Sequence, residues 1–590
     1  MALSRAVRLV FLLILFAVII SVGGSALLYF AMSRGPSVPS TAVLVLKPSG
    51  DLQETLPDDV VGQFLGREAG TVRGFVSNLQ KAKRDPRVKA VLLMPGPLDS
   101  PYWGKVQELR DAVLDFRRSG KKVTAFLEYG GDREYYLASA ADHVFLMPGS
   151  SLDLTGVASY EVFLRGTFDK VGAYPDFLKI GEYKTAPNQY TEREMTPAHR
   201  EMSMALNRDM YDQLVRGIAS ARKKTEPAVR ELIDQGPFTP DVAKRLGLVD
   251  DLAYEDQLDD RVPELRSGST QLRRIEGTDY ERVSPESVGI RTRSRIGVLY
   301  AVGAIVSGKS GFDPLNGAVV GSDTLVEQIR RARDDRSLKA IVLRIDSPGG
   351  STVASDVIWR ELMITRDHQP QRPLVVSMSD LAASGGYYIA TPAQAIVAQP
   401  GTLTGSIGIF AGKIVTGGTM SKLGVTEQTV KDGANADIFS PFTPFNPAQR
   451  DKVQAIIDDF YRGFIERVAQ SRHTTPEQID AIGRGRVWTG AQAREQGLVD
   501  ALGGLDVAVT LAKQRAGVPA DEEVELVTYS PQRSFYEAIT ESFRGSATRD
   551  LWGMLTVGGA EGRTLASLTA PGRLFRRGEP LALMPFAFSR

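Results

Sequence analysis

Ser384 lies in the stretch LAASGGYYIA (residues 381–390), where small residues surround a single hydroxyl group. A helix starting at this point would place the N–H of Gly385 beside that hydroxyl. Gly349 and Gly350, in the run IDSPGGS, can turn tightly and expose their own N–H groups. Two N–H donors directed at one point near a serine hydroxyl form an oxyanion hole for acyl transfer. The alternative is that Ser384 only caps a helix while the glycines form turns.

A serine hydroxyl is a weak nucleophile and needs a base. None of the four histidines (His143, His199, His368 and His473) lies in a comparably marked loop, which disfavours a histidine-based triad without excluding it. A buried lysine can serve instead, because burial lowers its pKa from about 10.4 toward neutrality. The pattern G-x-S-x-G is absent around Ser384, which argues against an α/β-hydrolase.

Two copies of one sequence pattern, about 250 residues apart, indicate which lysine this is. The clearest matched pairs are RDPRVKAVLLMPG (84–96) with RDDRSLKAIVLRIDSPGG (333–350), and RLGLVDDL (245–252) with EQGLVDAL (495–502). The same alignment places Lys184 opposite Ala436, and Asp132 opposite Ser384. The first copy therefore has a candidate base without the serine, and the second has the serine without this lysine. One composite site formed by both copies explains the pattern.

The elements that must position these residues follow an α/β pattern. Each copy alternates β-branched apolar runs with amphipathic helical segments, which predicts parallel strands buried on both faces. Loops after such strands gather at one edge of the sheet. The predicted divisions are a transmembrane anchor at 9–32, a first copy at 42–265, a linker at 267–294, a second copy at 295–514 and a tail at 515–590.

Composition narrows the class of protein. A chain of 590 residues is too long for one ordinary core, and 43% hydrophobic with 24% charged residues is typical of folded domains. The 71 basic and 70 acidic residues give a net charge of +1, which does not favour a nucleic-acid partner. The chain has no cysteine and its histidines lack metal-ligand spacing. We therefore predict no metal site and no cofactor.

Both ends of the chain carry apolar segments. Residues 9–32 form an uncharged run long enough to cross a bilayer, and Arg5 and Arg8 before it favour an inside N-terminus. The rival interpretation is a cleaved signal peptide that ends near residues 24–26. In both interpretations the rest of the chain is exported from the cytoplasm. The terminal PLALMPFAF is expected to cover a sheet edge or a neighbouring subunit.

The runs IDSPGGS, SDLAASGGYYIA, TLTGSIGIF and GEYKTAPNQYTEREMTP make the chain resemble a known family over about residues 42–510. It resembles the long, duplicated form of the bacterial signal peptide peptidases, also called protease IV, in the S49 serine peptidases. The resemblance implies two tandem domains of the crotonase/Clp-protease type, each a β-α superhelix. It also implies a Ser-Lys dyad, with Ser384 as nucleophile and Lys184 as general base. Ser406 would orient the lysine and Gly350 would supply an oxyanion N–H.

The resemblance also implies a biological setting. Such a protein would be a membrane-anchored homo-oligomer, a tetramer in this family, at the bacterial inner membrane with its catalytic part outside the cytoplasm. Its substrates would be signal peptides already released by signal peptidase, and other apolar peptides. Two alternatives remain open from the sequence. One is a non-catalytic, membrane-anchored scaffold that binds peptides, and the other is a crotonase-like acyl-CoA enzyme.

Overall fold

The protein is an α/β structure in which three sheets carry most of the strands. The computed structural model describes Phe16, Gly23, Gly24 and residues 38–55, 70–267, 270–313, 317–529, 579–584 and 588–589. Nearly all of the predicted anchor at 9–32 lies outside these residues. Within the described part of the chain, no helix is both long and apolar enough to cross a membrane.

The first copy is built on a six-stranded parallel sheet. In spatial order the strands are Arg273–Glu276, Ala42–Leu46, Val88–Leu93, Lys122–Leu127, His143–Leu146 and Asp251–Leu252. Ala42–Leu46 is buried at every position, as expected for a parallel strand that is covered on both faces. The edge strand Arg273–Glu276 belongs to the predicted linker 267–294, so this segment also completes the sheet.

The second copy is built on an eight-stranded sheet. Its main path runs Val487–Thr489, Leu403–Gly405, Leu374–Ala383, Leu338–Ser347, Thr292–Val302 and Glu523–Thr528, and Ala395–Ala398 joins Leu374–Ala383 to Ala501–Leu502. The long strands Leu338–Ser347 and Leu374–Ala383 are almost entirely buried. Glu523–Thr528 lies in the predicted tail 515–590 and forms one edge of this sheet.

The third sheet joins the two copies. Its seven strands, in spatial order, are Gly311–Asp313, Gly317–Gly321, Ala304–Val306, Gly349–Ser351, Leu581–Leu583, Phe410–Val415 and Tyr174–Lys179. Tyr174–Lys179 comes from the first copy and pairs antiparallel with Phe410–Val415 of the second. Leu581–Leu583, from the apolar C-terminal run that was expected to cover a sheet edge or a neighbouring subunit, pairs with the edges of two strands and so becomes an interior strand of this sheet. Three short two-stranded sheets pair Gly130–Gly131 with Leu152–Asp153, Arg266–Ser267 with Thr270–Gln271, and Phe588–Ser589 with Ser159–Tyr160.

Helices cover the sheets, and the longest ones repeat between the copies. The principal helices are Val72–Arg84, Gly104–Arg117, Asp132–Ala138, Arg165–Val171, Pro197–Arg222, Glu226–Ile233, Pro240–Arg245, Ser322–Asp334, Thr352–His368, Gly385–Tyr388, Gly417–Lys422, Pro447–Arg472, Pro476–Ile482, Gly490–Glu495 and Leu505–Arg515. Pro197–Arg222 and Pro447–Arg472 both have 26 residues and both begin with proline after a side-chain cap, from Thr196 and Asn446 respectively. The internal duplication is thus visible in the fold.

Buried charges connect the two copies, although each has an apolar core of its own. The Arg344 guanidinium of the second copy forms ion pairs with Glu108, at 2.6 Å, and Glu54, at 2.8 Å. Lys105 reaches Asp346 at 2.8 Å. An unpaired charge in such a place is costly, so these pairs hold the copies in one fixed arrangement.

Candidate active site

Ser384 lies between the strand Leu374–Ala383 and the one-turn helix Gly385–Tyr388. Its backbone has φ 56° and ψ −114°, a conformation that costs on the order of 1–3 kcal/mol for a residue with a side chain. The Ser384 N–H donates to the Gly405 carbonyl at 2.7 Å, which holds this turn in place. The Ser384 side chain makes no capping hydrogen bond to the helix, so the capping alternative does not describe it.

The side chain of Lys184 meets Ser384 inside the protein. Its Nζ lies 2.8 Å from Ser384 Oγ, 3.1 Å from Ser406 Oγ and 3.2 Å from the Ser406 carbonyl oxygen. All three residues are fully buried. Burial holds the pKa of Lys184 well below its usual range, and no acidic group in the described part of the chain offsets this effect. A neutral amine is therefore available next to the serine hydroxyl.

A strand that crosses between the copies delivers the lysine. Tyr174–Lys179 pairs with Phe410–Val415 over six positions, and the chain then turns at Gly181 toward the second copy. Gly181 has φ 87°, and a Cβ at this position would lie 2.2 Å from the carbonyl oxygen of Arg484. Only glycine can make this turn so close to another backbone. The duplication predicted a site composed of both copies and left open whether one chain or two would form it; here Lys184 and Ser384 of the same chain meet.

Residues 483–486 form a support for the lysine that sequence reasoning missed. Gly485 has φ 83°, and a Cβ on it would lie 2.4 Å from Lys184 Cα. Its N–H donates to the Ile407 carbonyl at 2.7 Å, and the carbonyl of Arg484 accepts from the Tyr183 N–H at 3.1 Å. The sequence feature that could have revealed this support is the run GRGR, because two closely spaced glycines do not suit the interior of a helix or strand.

Ser406 follows the strand Leu403–Gly405, in the run TGSIG. It has φ 49°, and its N–H donates to the Arg486 carbonyl at 2.7 Å. Ser406 is therefore a turn residue and also a direct neighbour of the lysine amine. The hydroxyl oxygen and the carbonyl oxygen of Ser406 both face Lys184, so together they fix where the amine lies relative to Ser384.

The glycine loop and the serine turn bring two backbone amides together. Gly350 has φ 155°, and a Cβ there would lie 2.1 Å from the carbonyl oxygen of Ile305. A Cβ on Gly385 would lie 3.1 Å from the Gly350 nitrogen, and one on Gly349 would lie 2.6 Å from the Gly385 nitrogen. The amides of Gly350 and Gly385 thus lie close together beside Ser384.

The strand that carries Ser384 is held by the first copy through Asp380. The Lys105 N–H donates to Asp380 Oδ1 at 2.8 Å, and Ser100 Oγ donates to Oδ2 at 3.1 Å. The Lys105 Nζ lies 3.6 Å from Asp380 and 2.8 Å from Asp346. Sequence reasoning also missed this buried contact, four residues before Ser384; the signal for it was a carboxylate within an otherwise uncharged buried strand.

A nucleophile, a neutral amine and two converging N–H groups are the parts needed for acyl transfer through a serine. The described residues include no group of three or more His, Asp and Glu side chains placed to hold a metal ion. His199, the buried histidine, lies against Glu161, and the Ser384 hydroxyl is hydrogen-bonded to Lys184 instead.

Comparison with known proteins agrees with this chemistry. The model of peptidase family S49 matches residues 115–267 and 366–519. "Protease 4" of Salmonella typhi is 35% identical over 483 residues, which are 80% of this chain and 76% of that protein. "Serine protease SPPA, chloroplastic" of Arabidopsis thaliana is 34% identical over 458 residues, 77% of this chain and 67% of that protein. "Putative signal peptide peptidase SppA" of Enterococcus faecium is 33% identical over 176 residues, 30% of this chain and 51% of that protein.

Proposed function

The chain belongs to peptidase family S49 and is a serine peptidase, and from that premise we propose which residues act and on what. Ser384 is the nucleophile, Lys184 is the general base, and the substrates are signal peptides already cut from their precursors. The observation that carries the assignment is the 2.8 Å separation of Lys184 Nζ and Ser384 Oγ, with both groups buried.

The proposed reaction uses the site in two stages. Neutral Lys184 takes the hydroxyl proton while Ser384 Oγ attacks a peptide carbonyl carbon, and the N–H groups of Gly350 and Gly385 stabilise the oxyanion. Ser406 holds the lysine amine in position throughout. The protonated lysine then gives its proton to the leaving amine, and water hydrolyses the acyl-enzyme by the same route.

An apolar peptide suits the surroundings of the site. Met202, Leu381, Ala383 and Val487 form a buried apolar cluster at the end of the Ser384 strand. A cavity of about 40 Å³ lies against the same cluster; its lining includes the apolar Leu206, Leu403 and Met584 and also the polar side chains of Tyr102, Glu161, His199 and Ser203. Signal peptides have an apolar central region, and the Enterococcus relative is named for them. The acyl-CoA alternative needs no nucleophilic serine, and the scaffold alternative needs neither Ser384 nor Lys184.

We also propose the setting that the family resemblance implies. Residues 9–32 anchor the chain as a single-pass helix in the bacterial inner membrane, with the catalytic part on the extracytoplasmic side. The two copies, 42–265 and 295–514, are tandem domains of the crotonase/Clp-protease type. The anchor keeps the site close to the membrane, where released signal peptides remain.

The proposal includes a homo-oligomer, a tetramer by family resemblance, and an exposed segment supports it. Tyr174–Lys179 pairs with Phe410–Val415, and its counterpart in the second copy is residues 426–431. That counterpart is exposed along its length, and Val430 is 98% exposed. Pairing of this counterpart with a strand of a second chain would bury Val430. Val430→Asp should therefore reduce the assembly size measured by light scattering.

The function is tested with the full chain in detergent, as wild type, Ser384→Ala and Lys184→Ala. Each is incubated with a synthetic signal peptide and, separately, with an acyl-CoA, and the products are identified by mass spectrometry. Peptide cleavage by the wild type alone, with both variants folded by circular dichroism, supports the proposal. Activity in Lys184→Ala would remove the lysine from the mechanism. Peptide binding without cleavage by the wild type would favour the scaffold alternative.

A further inference from the structure

The strand Leu581–Leu583 lies in the active site. It is inserted between Gly349–Ser351, which holds the glycine loop, and Phe410–Val415, which follows Ser406. It pairs antiparallel with both neighbours, although it comes from a point more than 160 residues later in the sequence. Without it, two strands that flank the catalytic serine would present unpaired edges to each other. Such a gap is where an extended peptide adds to a sheet.

The register aligns Ala582 with the oxyanion loop. Gly350 is paired with Ala582. On one side the Met584 N–H donates to the Pro348 carbonyl at 2.8 Å, and on the other the Thr352 N–H donates to the Pro580 carbonyl at 3.4 Å. Hydrogen-bonded pairs alternate along an antiparallel ladder, so the pair midway between these two is also hydrogen-bonded. The Gly350 N–H therefore donates to the carbonyl oxygen of Ala582.

The same carbonyl oxygen is also close to the second amide of the site. The point where a Cβ on Gly349 would lie is 2.1 Å from the Ala582 oxygen and 2.6 Å from the Gly385 nitrogen. A Cβ on Gly385 would lie 3.2 Å from the Ala582 oxygen. The carbonyl of Ala582 therefore occupies the space between the amides of Gly350 and Gly385, which the proposed mechanism gives to the carbonyl under attack.

Side chains fix this segment on both faces. Leu581 and Leu583 pack with Ala186, which is two residues from Lys184, and with Phe410. Met584 packs on the other face, in the apolar cluster with Met202 and Val487. All four residues from Leu581 to Met584 are buried. Polar contacts secure the start of the segment, where Thr352 Oγ1 donates to the Pro580 carbonyl at 3.0 Å and Ser351 Oγ donates to Glu579.

We propose that residues 579–584 are an internal, substrate-like occupant of the active site, with Ala582 in the position of the residue whose carbonyl is attacked. This rests on the proposed function of Ser384 and extends it in two ways. The occupied site is closed to other peptides until the segment leaves, so the chain inhibits itself by competition. The segment also reports the preference of the site, which is a small residue before the cleaved bond and apolar residues on either side of it.

The test compares the full chain with Ala582→Trp, whose indole has no room between Gly350 and the serine turn. Ala520→Trp, at an exposed position, is the matched control. Two rates are measured: hydrolysis of a fluorogenic signal peptide, and labelling of Ser384 by a fluorescent alkyl fluorophosphonate. We expect the apparent KM of Ala582→Trp to fall about fivefold or more with kcat unchanged, because a tethered competitor is removed. Labelling should accelerate equally, and the control should match the wild type.

A second variant covers the case in which Ala582→Trp does not fold. Leu581→Asp with Leu583→Asp removes the apolar contacts of the segment without adding bulk, and should show the same fall in KM. The synthetic peptide acetyl-EPLALM-amide should then inhibit either variant competitively. Unchanged KM and unchanged labelling in both variants, with an active wild type, would overturn the proposal. Faster labelling of Ser384 without cleavage of any signal peptide would refute the proposed substrate and still support an occupied site.

Discussion

The turn at Asp132 and the turn at Ser384 occupy corresponding places in the two copies, yet only one of them is strained. Asp132 is the first residue of the helix Asp132–Ala138 and does not have a positive φ. Ser384 instead has φ 56° and ψ −114°. The Asp132 carboxylate accepts N–H bonds from Thr155, at 3.0 Å, and Gly156, at 2.9 Å, in the region that corresponds to Ser406. In the first copy a side chain stabilises the turn, whereas in the second the turn holds a reactive side chain.

The scaffold around the two turns is nearly the same. Tyr135 OH donates to the Leu248 carbonyl at 2.6 Å, and Tyr387 OH donates to the Leu498 carbonyl at 2.8 Å. The equivalent ion pairs Arg222–Asp250 and Arg472–Asp500 close the same helix onto the same strand, at 2.9 Å and 2.6 Å. The comparison teaches that the fold tolerates loss of the chemistry. A few residues, with a strained backbone around them, separate the turn that carries Ser384 from the turn that carries Asp132.

The largest expected effect comes from removing the nucleophile in one copy and its counterpart in the other. Ser384→Ala should lower kcat by about 10⁴-fold or more, because the remaining groups have no oxygen to deliver to the carbonyl. Asp132→Asn should leave kcat within about twofold, since Asp132 stabilises a turn of the first copy and is not part of the proposed dyad. Both rates are measured with a fluorogenic signal peptide, and equal loss in the two variants would contradict the division of roles.

The next effect concerns the dependence of the second copy on the first. Lys105→Met leaves Asp346 and Asp380 as buried carboxylates without their cation, so the free energy of unfolding should fall by about 3–5 kcal/mol. The matched control is Lys83→Met, whose ion pair with Asp115 is largely exposed and should contribute less than about 1 kcal/mol. Urea denaturation of both variants decides the matter. A loss in Lys105→Met no greater than in the control would show that the copies do not rely on this link.

Titration should distinguish two buried groups of the first copy, Lys184 and Asp132, by the sign of the pH effect. Burial lowers the pKa of Lys184, so its active neutral form is lost as pH falls through that lowered value. Below it, kcat/KM should fall about tenfold per pH unit. The folded state also binds fewer protons here than the unfolded chain, so this lysine makes stability rise with pH from the lowered pKa to about 10.5. If chemistry is rate-limiting and the rate does not change between pH 6 and pH 10, a lysine base is contradicted.

The sequence predicted the composite site because its parts lie in local motifs. Ser384 and Gly350 follow buried strands of one copy, and the alignment of the copies identified Lys184. The third sheet was not predictable in the same way, since Tyr174–Lys179 finds its partner in the other copy. Leu581–Leu583 is too short to show a period, and its neighbours are set by tertiary packing alone. The contact of Lys105 with Asp380 likewise depends on how the two copies dock.

The smallest expected effect tests what Asp132 does in place of a serine. Burial raises the pKa of Asp132 from 3.8 to about 6, although the N–H groups of Thr155 and Gly156 oppose this rise. The folded state therefore binds more protons than the unfolded chain between these two values, and stability falls as pH rises through that window. This sign is opposite to that for Lys184. A carboxylate left partly desolvated at neutral pH is a cost to the first copy.

Asp132→Asn keeps an oxygen that can accept from both N–H groups and removes the charge. We expect it to raise the free energy of unfolding by about 1 kcal/mol at pH 7, a value reduced from the full shift because water still reaches the carboxylate. The difference should vanish below about pH 4, where the wild-type side chain is also neutral. Denaturation at pH 7 and pH 4 makes the comparison. If the gain in free energy of unfolding persists at pH 4, the difference between Asp132 and asparagine at this turn is one of packing and not of charge.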